Sequence, residues 1–405
     1  MTVQKPTTPL KTRRDFLTAA AATAGLATAA SFTPTRFAIG NTAKVKIGVL
    51  LPYSGTYALL GESITSGLKL YIDQNGGKLG GREVEYVQVD SEMSVPKAAA
   101  NTSRLVTKEN VDFVVGPVHS GIAQVMAKNL GKKKTPIMIV PNAGSTLVTG
   151  PLCAPNIFRT SFTNWQPAYP GGKVMAADGR KTCVTIAWKY AAGIQMMDAG
   201  KQAFEEEGGK VVKQIYVPFP NVEFQAYFTE IADLKPDCVF AFFGGGGDIK
   251  FVKEYAAFGL KKNIPLYGPG FLTEGIVKAQ GAAADGIRTT LHYADGMDNP
   301  VDAKFRADFK AATGKPSNVF AVQGFDTGAL LKIGLDAVGG DAGATANVIA
   351  AMEKAKIDSP RGKISFSKAH NVIQDIYLRE AQGGENKFQK VVASQLEDPA
   401  KGCKM

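Results

Sequence analysis

The sequence has few of the residues and motifs that carry catalysis or metal binding. Its three histidines, His119, His292 and His370, show no metal-ligand spacing. It has no Gly-x-Ser-x-Gly nucleophile motif. The glycine run 244–247 lacks both the Lys-Ser/Thr of a phosphate-binding loop and the Gly-x-Gly-x-x-Gly order of a dinucleotide site. These absences predict a protein that is not an enzyme and needs no metal or organic cofactor.

Cysteine and clustered positive charge are also scarce. The net charge of +11 is spread along the chain, without the basic face and stacking aromatics that nucleic-acid binding requires. Four cysteines are too few for a disulfide scaffold but fit an oxidising compartment. Cys183 and Cys238 lie in apolar runs typical of buried strands, whereas Cys153 and Cys403 lie in polar, turn-like surroundings. Four cysteines allow three complete pairings, and if any pair is bridged the predicted one is Cys153–Cys403, which would fasten the C-terminal tail.

The first thirty residues have the order of an export signal. Arg13 and Arg14 precede Phe16-Leu17 and an alanine-rich run to Ala30, which resembles a bacterial twin-arginine signal. The apolar run is about half the length of a membrane span. Cleavage is predicted after Ala29, and no cysteine lies nearby for a lipid anchor. We therefore expect residues 1–30 to be removed and the mature chain to work in the periplasm.

From Lys44 onward, short apolar runs alternate with segments of helical periodicity. Val45–Leu51 is apolar almost throughout, as a parallel strand buried on both faces is. Leu60, Ile64, Leu68 and Ile72 recur every four residues, as on one face of a helix. Further strands are predicted at 83–90, 111–115, 136–140, 183–188, 211–217, 238–243, 264–267, 287–294 and 363–380. Helices are predicted from Ser94 to about 109 and near 122–130, 193–207, 222–232, 248–258, 301–312 and 325–338. This order predicts an α/β fold with two doubly wound parallel sheets.

Ligands bind beyond the carboxyl ends of strands in such sheets, so the residues after each strand are the candidate site. In the first round, glycine, hydroxyl and amide residues follow three strands, at 52–57, 116–121 and 141–145. Free N–H groups and hydroxyls at helix starts suit an anion, although ordinary helix capping would use the same residues. In the second round, aromatic residues take these places, at 188–190, 242–243 and 268–271. A polar cradle facing aromatics suits a small acid with a flat apolar body.

Residues 44–390 resemble the type I periplasmic binding proteins, in the branch that serves branched-chain amino acid ABC importers. The resemblance is carried by Ile47–Gly55, Val115-Gly116-Pro117 and Tyr267-Gly268-Pro269. It implies two lobes, joined by a three-stranded hinge, that close on a ligand. It also implies permease and ATPase partners and a monomer. The implied boundaries are 44–157 plus 295–366 for lobe one and 158–294 plus 367–405 for lobe two.

The same resemblance implies roles for several residues. In amino-acid binders of the family, the positions matching Ser120 and Asn142-Ala143 hold the carboxylate, and a tyrosine matches Tyr190. The position that pairs with the ammonium group is Gly270 here, followed by Phe271, and Glu274 lies four residues later. A buried ammonium without a carboxylate is costly, so this departure argues against an ordinary amino acid.

Several stretches are more similar to a subgroup that binds lignin-type aromatic acids, such as coumarate and hydroxybenzoates. We therefore expect Ser120, with the backbone of Gly121 and Ala143, to hold a carboxylate, and aromatic side chains to enclose the ring. The expected ligand-binding residues are Tyr53, His119, Ser120, Gly121, Asn142, Ala143, Arg159, Trp165, Gln166, Tyr190, Phe243, Gly270 and Phe271. Two alternatives stay open: the same fold serving branched-chain or other amino acids, and a ligand sensor that presents its closed form to a receptor.

Overall fold

The computed structural model describes residues 1–2, 43–131, 133 and 136–405. The export signal expected over residues 1–30, with its cleavage point, lies outside these residues apart from the first two. Among the helices described, none is both long and apolar enough to cross a bilayer.

The first sheet has six strands in the order β2-β3-β1-β4-β5-β6. Apart from the short β2, which runs antiparallel to β3, all its strands are parallel. Its elements are β1 (Val45–Leu51), α1 (Ala58–Gln74), β2 (Lys78–Leu79), β3 (Arg82–Asp90), α2 (Ala98–Ser103), β4 (Phe113–Val115), α3 (Ser120–Leu130), β5 (Ile137–Val140) and β6 (Ile157–Arg159). Because β1 is central and covered on both faces, only Lys46 in it is not buried.

The second half of the chain builds a nine-stranded sheet, ordered β12-β13-β14-β11-β10-β9-β7-β8 with β15 paired to β14. Its first elements are α4 (Trp165–Ala177), β7 (Thr182–Trp188), α5 (Ala191–Glu206), β8 (Lys210–Val217), α6 (Gln225–Leu234), β9 (Cys238–Phe242), α7 (Gly245–Ala257), β10 (Leu266–Pro269), α8 (Val277–Gln280) and β11 (Arg288–Leu291). The remaining elements are α9 (Pro300–Thr313), α10 (Val319–Asp336), α11 (Thr345–Glu353), β12 (Ile357–Ser359), β13 (Gly362–Phe366), β14 (Val372–Gln382) and β15 (Glu385–Leu396).

Helix α10 returns to the first half and lies against α1. Two glycines permit the close approach: a Cβ on Gly67 would stand 1.9 Å from the carbonyl oxygen of Ala321, and one on Gly324 would stand 2.0 Å from that of Ile64. Because any side chain would collide with backbone there, the contact requires glycine in both helices. The chain therefore crosses between the two halves more than once.

The alternation of strands and helices predicted from the sequence is confirmed, with corrections at particular elements. The second sheet is not wholly parallel, since β14 runs antiparallel to β11, β13 and β15. Helix α2 begins at Ala98 rather than beside Ser94, and continues as a π-helical turn, Arg104–Lys108. Helix α10 begins at Val319, where Asn318 caps it, and not near 325. It is buried on almost every side, so no single apolar stripe marks its start.

Cys153 and Cys403, the pair expected from the sequence, are joined by a disulfide, with their Cα atoms 5.6 Å apart. The bond fastens the C-terminal tail, which follows β15, to the loop between β5 and β6. Cys183 and Cys238 are buried and free.

Candidate functional site

A cavity lies where the carboxyl ends of the two sheets face each other. Ser120, Asn142 and Gly144 line it from the first half of the chain, and Tyr190 and Phe271 line it from the second. No charged side chain is among the lining residues that the structure describes. The site therefore has to recognise its ligand with neutral polar groups and apolar surface.

The polar wall consists of hydroxyl and main-chain donors. Ser120 is the first residue of α3, and its N–H has no acceptor within the described chain; the same holds for the N–H of Gly144. The two backbone donors expected from the sequence are occupied. The N–H of Gly121 donates to Nδ1 of His119 at 3.1 Å, and that of Ala143 donates to the carbonyl of Pro117 at 3.0 Å. The expectation that the N–H groups of Gly121 and Ala143 hold the carboxylate is therefore corrected. The backbone N–H groups left free at the cavity are those of Ser120 and Gly144.

The opposite wall is aromatic, with Tyr190, Phe242 and Phe271 at its centre and Phe162 in contact with Phe271 at 4.6 Å between ring centroids. Phe243, expected here from the sequence, does not line the cavity. Its ring packs against Trp188, Phe224 and Phe251 in the core. Successive side chains at the end of β9 point to opposite faces of the sheet, so that Phe242 faces the cavity and Phe243 does not.

Tyr57 is a lining residue that the sequence reasoning missed, because it singled out Tyr53 in the same loop. The Tyr57 hydroxyl lies 3.0 Å from the carbonyl oxygen of Phe243 and 3.0 Å from the hydroxyl of Tyr190. Burial raises the pKa of both tyrosines, so both stay neutral and keep their protons. The Tyr53 hydroxyl instead bonds Oγ1 of Thr65 at 2.8 Å, and Tyr53 is not a lining residue.

Gly244 is the N-cap of α7 and Gly245–Gly247 are its first residues, and Gly244 and Gly245 line the cavity. Gly244 has φ +86°, and a Cβ there would stand 2.9 Å from the Tyr57 hydroxyl. The buried Asp248 accepts hydrogen bonds from the N–H groups of Phe243 and Gly244. Burial raises the pKa of Asp248, and these bonds oppose the shift. The run therefore provides a compact helix start beside the cavity rather than a phosphate loop.

Asn142 and Asn164 line the cavity and are held by partners on different elements. Nδ2 of Asn142 donates to Oε1 of Gln323 at 2.8 Å. Nδ2 of Asn164 donates to Oε1 of Gln195 on α5 at 2.8 Å and lies 3.4 Å from Oγ of Ser120. Gln195 also accepts the N–H of Thr146 at 3.1 Å. These bonds connect the polar wall to the helix that begins beside Tyr190.

Three other expected residues lie elsewhere. Arg159 is fully buried, and its guanidinium donates to the carbonyl oxygens of Ala143 and Ser145 and to Asn371 instead of lining the cavity. Nε2 of Gln166 donates to main-chain carbonyls of β14 and β15. Trp165 stacks on Tyr169 and lines a separate surface groove. Residues 165–177 form α4, which the prolines and glycines of this stretch concealed in the sequence.

His119 lies behind the aromatic wall, with its ring stacked on Tyr190 at 4.8 Å. Its Nδ1 accepts the Gly121 N–H, so it caps α3 and does not line the cavity. Burial lowers the pKa of His119 to about 4, and the ring is neutral at neutral pH.

Gly270 and Glu274 contact the buried Arg379, and Glu274 does not line the cavity, whereas Gly270 lies beside the lining residue Phe271. The Arg379 guanidinium donates to Glu274 at 2.5 Å and to the carbonyl oxygen of Gly270 at 2.6 Å. Glu274 also accepts the N–H of Val319 at 2.8 Å. Both carboxylate oxygens of Glu274 are therefore bonded within the protein. Among the described residues, no carboxylate lines the cavity where it could bind an ammonium group.

The fold agrees with comparisons to known proteins. A family model described as "Periplasmic binding protein" matches residues 44–386. The chain belongs to the periplasmic binding protein family. The predicted resemblance is thereby confirmed. The Leu/Ile/Val-binding protein homolog 6 of Brucella melitensis is 33% identical to this periplasmic binding protein over 83% of the chain and 87% of the homolog.

Among solved structures, an ABC transporter solute-binding protein from R. palustris in complex with benzoate is 50% identical, with a TM-score of 0.88. The match covers 90% of this periplasmic binding protein and 100% of that chain. A second, from Rhodopseudomonas palustris BisB5 in complex with 3,4-dihydroxybenzoic acid, is 30% identical, with a TM-score of 0.83 over 88% and 99% of the two chains. A leucine-binding protein from Thermotoga maritima, 21% identical with a TM-score of 0.76, shares the fold.

Proposed function

We propose that this protein is the substrate-binding component of an ABC importer and captures a small aromatic carboxylate, of the benzoate or hydroxybenzoate class, by closure of two lobes. The observation that carries the proposal is the composition of the cavity. Neutral hydrogen-bond donors stand on one wall, aromatic rings stand on the other, and no charged side chain lines it in the part of the chain described. The named complexes of the similar R. palustris proteins support this ligand class.

The carboxylate would be held by the hydroxyl and N–H of Ser120 and by the N–H of Gly144. All three donors belong to the polar wall, and the N–H of Ser120 stands at the amino end of α3, where the helix dipole favours an anion. The ring would lie among Tyr190, Phe242 and Phe271. The ligands of the similar R. palustris structures carry a single ring without a propenoid chain, which favours benzoates over an extended phenylpropenoid such as coumarate.

The buried pair Arg379–Glu274 supports an acid without an amino group. An amino-acid ligand needs a carboxylate near its ammonium, but Glu274 is already bound to Arg379 and to the Val319 N–H. Breaking that pair to reach a ligand would leave a buried arginine uncompensated, at a cost of about 3–5 kcal/mol.

The remaining expectations complete the proposal. Residues 44–157 with 295–366 and residues 158–294 with 367–405 would be the two lobes, and the packing of α10 on α1 supports the first grouping. The protein would be exported by the twin-arginine route, act as a monomer without catalysis, and deliver its ligand to membrane permease and ATPase subunits.

The test is a thermal-shift and calorimetric screen of purified protein that has been unfolded and refolded to remove carried ligand. Benzoate, 4-hydroxybenzoate, 3,4-dihydroxybenzoate and coumarate would be compared with leucine, valine and phenylalanine. Because a ligand that binds only the folded state raises its melting temperature, we expect stabilisation by the benzoates alone. Stabilisation by leucine or valine and not by benzoates would contradict the proposal.

A further inference from the structure

Arg159 differs from the other two fully buried arginines of the described chain. Arg361 pairs with Asp326 at 2.8 Å and Arg379 with Glu274 at 2.5 Å, so each has a buried carboxylate beside it. Within the described residues, Arg159 forms no ion pair. Burial lowers the pKa of Arg159 to about 10, with Asp398 opposing the shift from a distance, so the guanidinium is charged at neutral pH. A buried cation without a partner is costly unless something compensates it.

Two of the bonds of Arg159 are directed at the loop that carries the polar wall, and the others go to Asn371, Phe162 and Thr149. Its Nη1 donates to the carbonyl oxygen of Ala143, and its Nη2 donates to that of Ser145 at 2.7 Å. In a trans peptide unit the N–H points opposite to the C=O. The N–H of Gly144, which shares a peptide unit with the Ala143 carbonyl, is therefore directed away from Arg159, and Gly144 lines the cavity.

The second bonded peptide reaches the other half of the molecule. Its carbonyl belongs to Ser145 and its N–H to Thr146, and that N–H donates to Oε1 of Gln195 on α5 at 3.1 Å. A guanidinium bound to a carbonyl oxygen polarises the whole peptide and strengthens its N–H as a donor. The guanidinium of Arg159 thus strengthens two N–H donors: that of Gly144 at the cavity and that of Thr146, which bonds to α5.

We propose that Arg159 is the positioning residue and remote counter-ion for the ligand's carboxylate, acting through the peptides of residues 143–146 without touching the ligand. This inference rests on the proposed function. It explains how a cavity without a charged lining residue binds an anion: the positive charge lies behind the loop, and its effect is presented by neutral N–H groups. The bound carboxylate in turn supplies the compensation that Arg361 and Arg379 already have.

The test compares benzoate with benzamide, its neutral isostere, by calorimetry in displacement format for the weaker ligand. In Arg159→Met, the preference for benzoate over benzamide should fall about tenfold or more, because a charge several ångströms away is lost from a poorly solvated site. Arg159→Lys, which keeps the charge, should recover part of that preference. A merely structural lesion would weaken both ligands equally and leave the preference unchanged.

A second variant, Asp398→Asn, keeps the size of the side chain and should shift the preference for benzoate in the opposite direction. Asp398 opposes the charge of Arg159, and Asp398→Asn should raise the preference for benzoate about twofold to threefold. The double variant Arg361→Met/Asp326→Leu removes a buried pair as a unit and should leave the preference as in the wild type. If Arg159→Met fails to fold, the benzoate preference measured for Asp398→Asn tests the inference by itself.

An unchanged preference in Asp398→Asn, or in a folded Arg159→Met, would overturn the inference while leaving the proposed function intact. A wild-type protein that binds neither benzoate nor its hydroxylated forms would instead refute the proposed function.

Discussion

Ser120 and Gly144 show how uncharged groups prepare a site for an anion. Each contributes an N–H that no acceptor in the described chain occupies, and Ser120 adds a hydroxyl. The neighbouring N–H groups of Gly121 and Ala143 are satisfied by His119 and Pro117. At this scale the site is determined by which donors the local backbone leaves free.

Replacing Ser120 with alanine should weaken benzoate binding by about tenfold, because one hydrogen bond to a charged acceptor is lost. The matched control is Ser145→Ala. Ser145 is equally buried, but its hydroxyl accepts from Gln124 at 3.0 Å and does not line the cavity. Calorimetric titration measures both, and benzoate affinity of the wild-type level in Ser120→Ala would contradict the assignment of the carboxylate.

His119 should make the folded state sensitive to mild acid. Its pKa is about 4 in the folded protein, below the usual value of 6.5. Well above pH 6.5 the ring is neutral in both the folded and the unfolded chain and does not change the free energy of unfolding. As the pH falls from 6.5 to 4, His119 is protonated in the unfolded chain but stays neutral in the folded state, so the free energy of unfolding decreases. The loss reaches about 2 to 3 kcal/mol near pH 4.5.

The measurement is urea unfolding at pH 7 and pH 4.5 for the wild type and for His119→Asn, which keeps a capping acceptor but does not titrate. The wild type should lose more stability between the two pH values than the variant does. Equal losses would show that His119 is not protected from protonation in the fold.

At the scale of elements, α5 links the two walls of the cavity. It begins directly after Tyr190, and its Gln195 accepts from both Thr146 and Asn164. The loop after β5 and the turn before α4 are thereby joined to a helix of the second half. The bond from Thr146 joins the two groupings of the chain across the cavity, so we expect it to contribute to closure rather than to the stability of either sheet.

Replacing Gln195 with alanine should weaken benzoate binding by about five- to tenfold, because the bond from Thr146 across the cavity is lost together with the bond that holds Asn164. The unfolding free energy without ligand should change by less than about 1 kcal/mol. Gln202→Ala, on the same helix and bonded to Glu206 at 2.8 Å, is the control and should bind as the wild type does. Similar affinities in the two variants would argue against a role for Gln195 in closure.

At the scale of the whole molecule, the C-terminal tail after β15 is bonded to two earlier segments of the chain. The disulfide Cys153–Cys403 spans 250 residues, and Asp398, in the same tail, accepts from Oγ1 of Thr163 at 2.6 Å. A crosslink over so long a segment restricts the unfolded chain strongly.

Reduction of that disulfide should therefore destabilise the protein, by about 5.5 kcal/mol at most on the loop-entropy account. Urea unfolding with and without dithiothreitol measures it: the wild-type midpoint should fall with reductant, whereas that of Cys403→Ser should be low in both. Cys183→Ala, which alters a free buried cysteine, should keep the sensitivity to reductant. A wild-type midpoint that reductant leaves in place would contradict the prediction.

The sequence by itself determined the class of fold. Strands such as β1 and β9 are buried on both faces, so they are continuous apolar runs that can be identified without a structure. It also identified the loops that meet at the cavity, because parallel strands end at one edge of their sheet. Elements whose stability comes from packing were missed or misplaced: α4, with its internal proline, and α10, buried on nearly every side.

Tertiary structure decided which atoms of those loops are available to a ligand. Phe242 and not Phe243, Tyr57 and not Tyr53, and Gly144 and not Ala143 line the cavity. The sequence placed Arg159 near the site, but only the folded backbone directs its guanidinium at carbonyl oxygens. The physical reason is that periodicity specifies where a chain turns, whereas the direction of a side chain or an N–H depends on dihedral angles set by distant contacts.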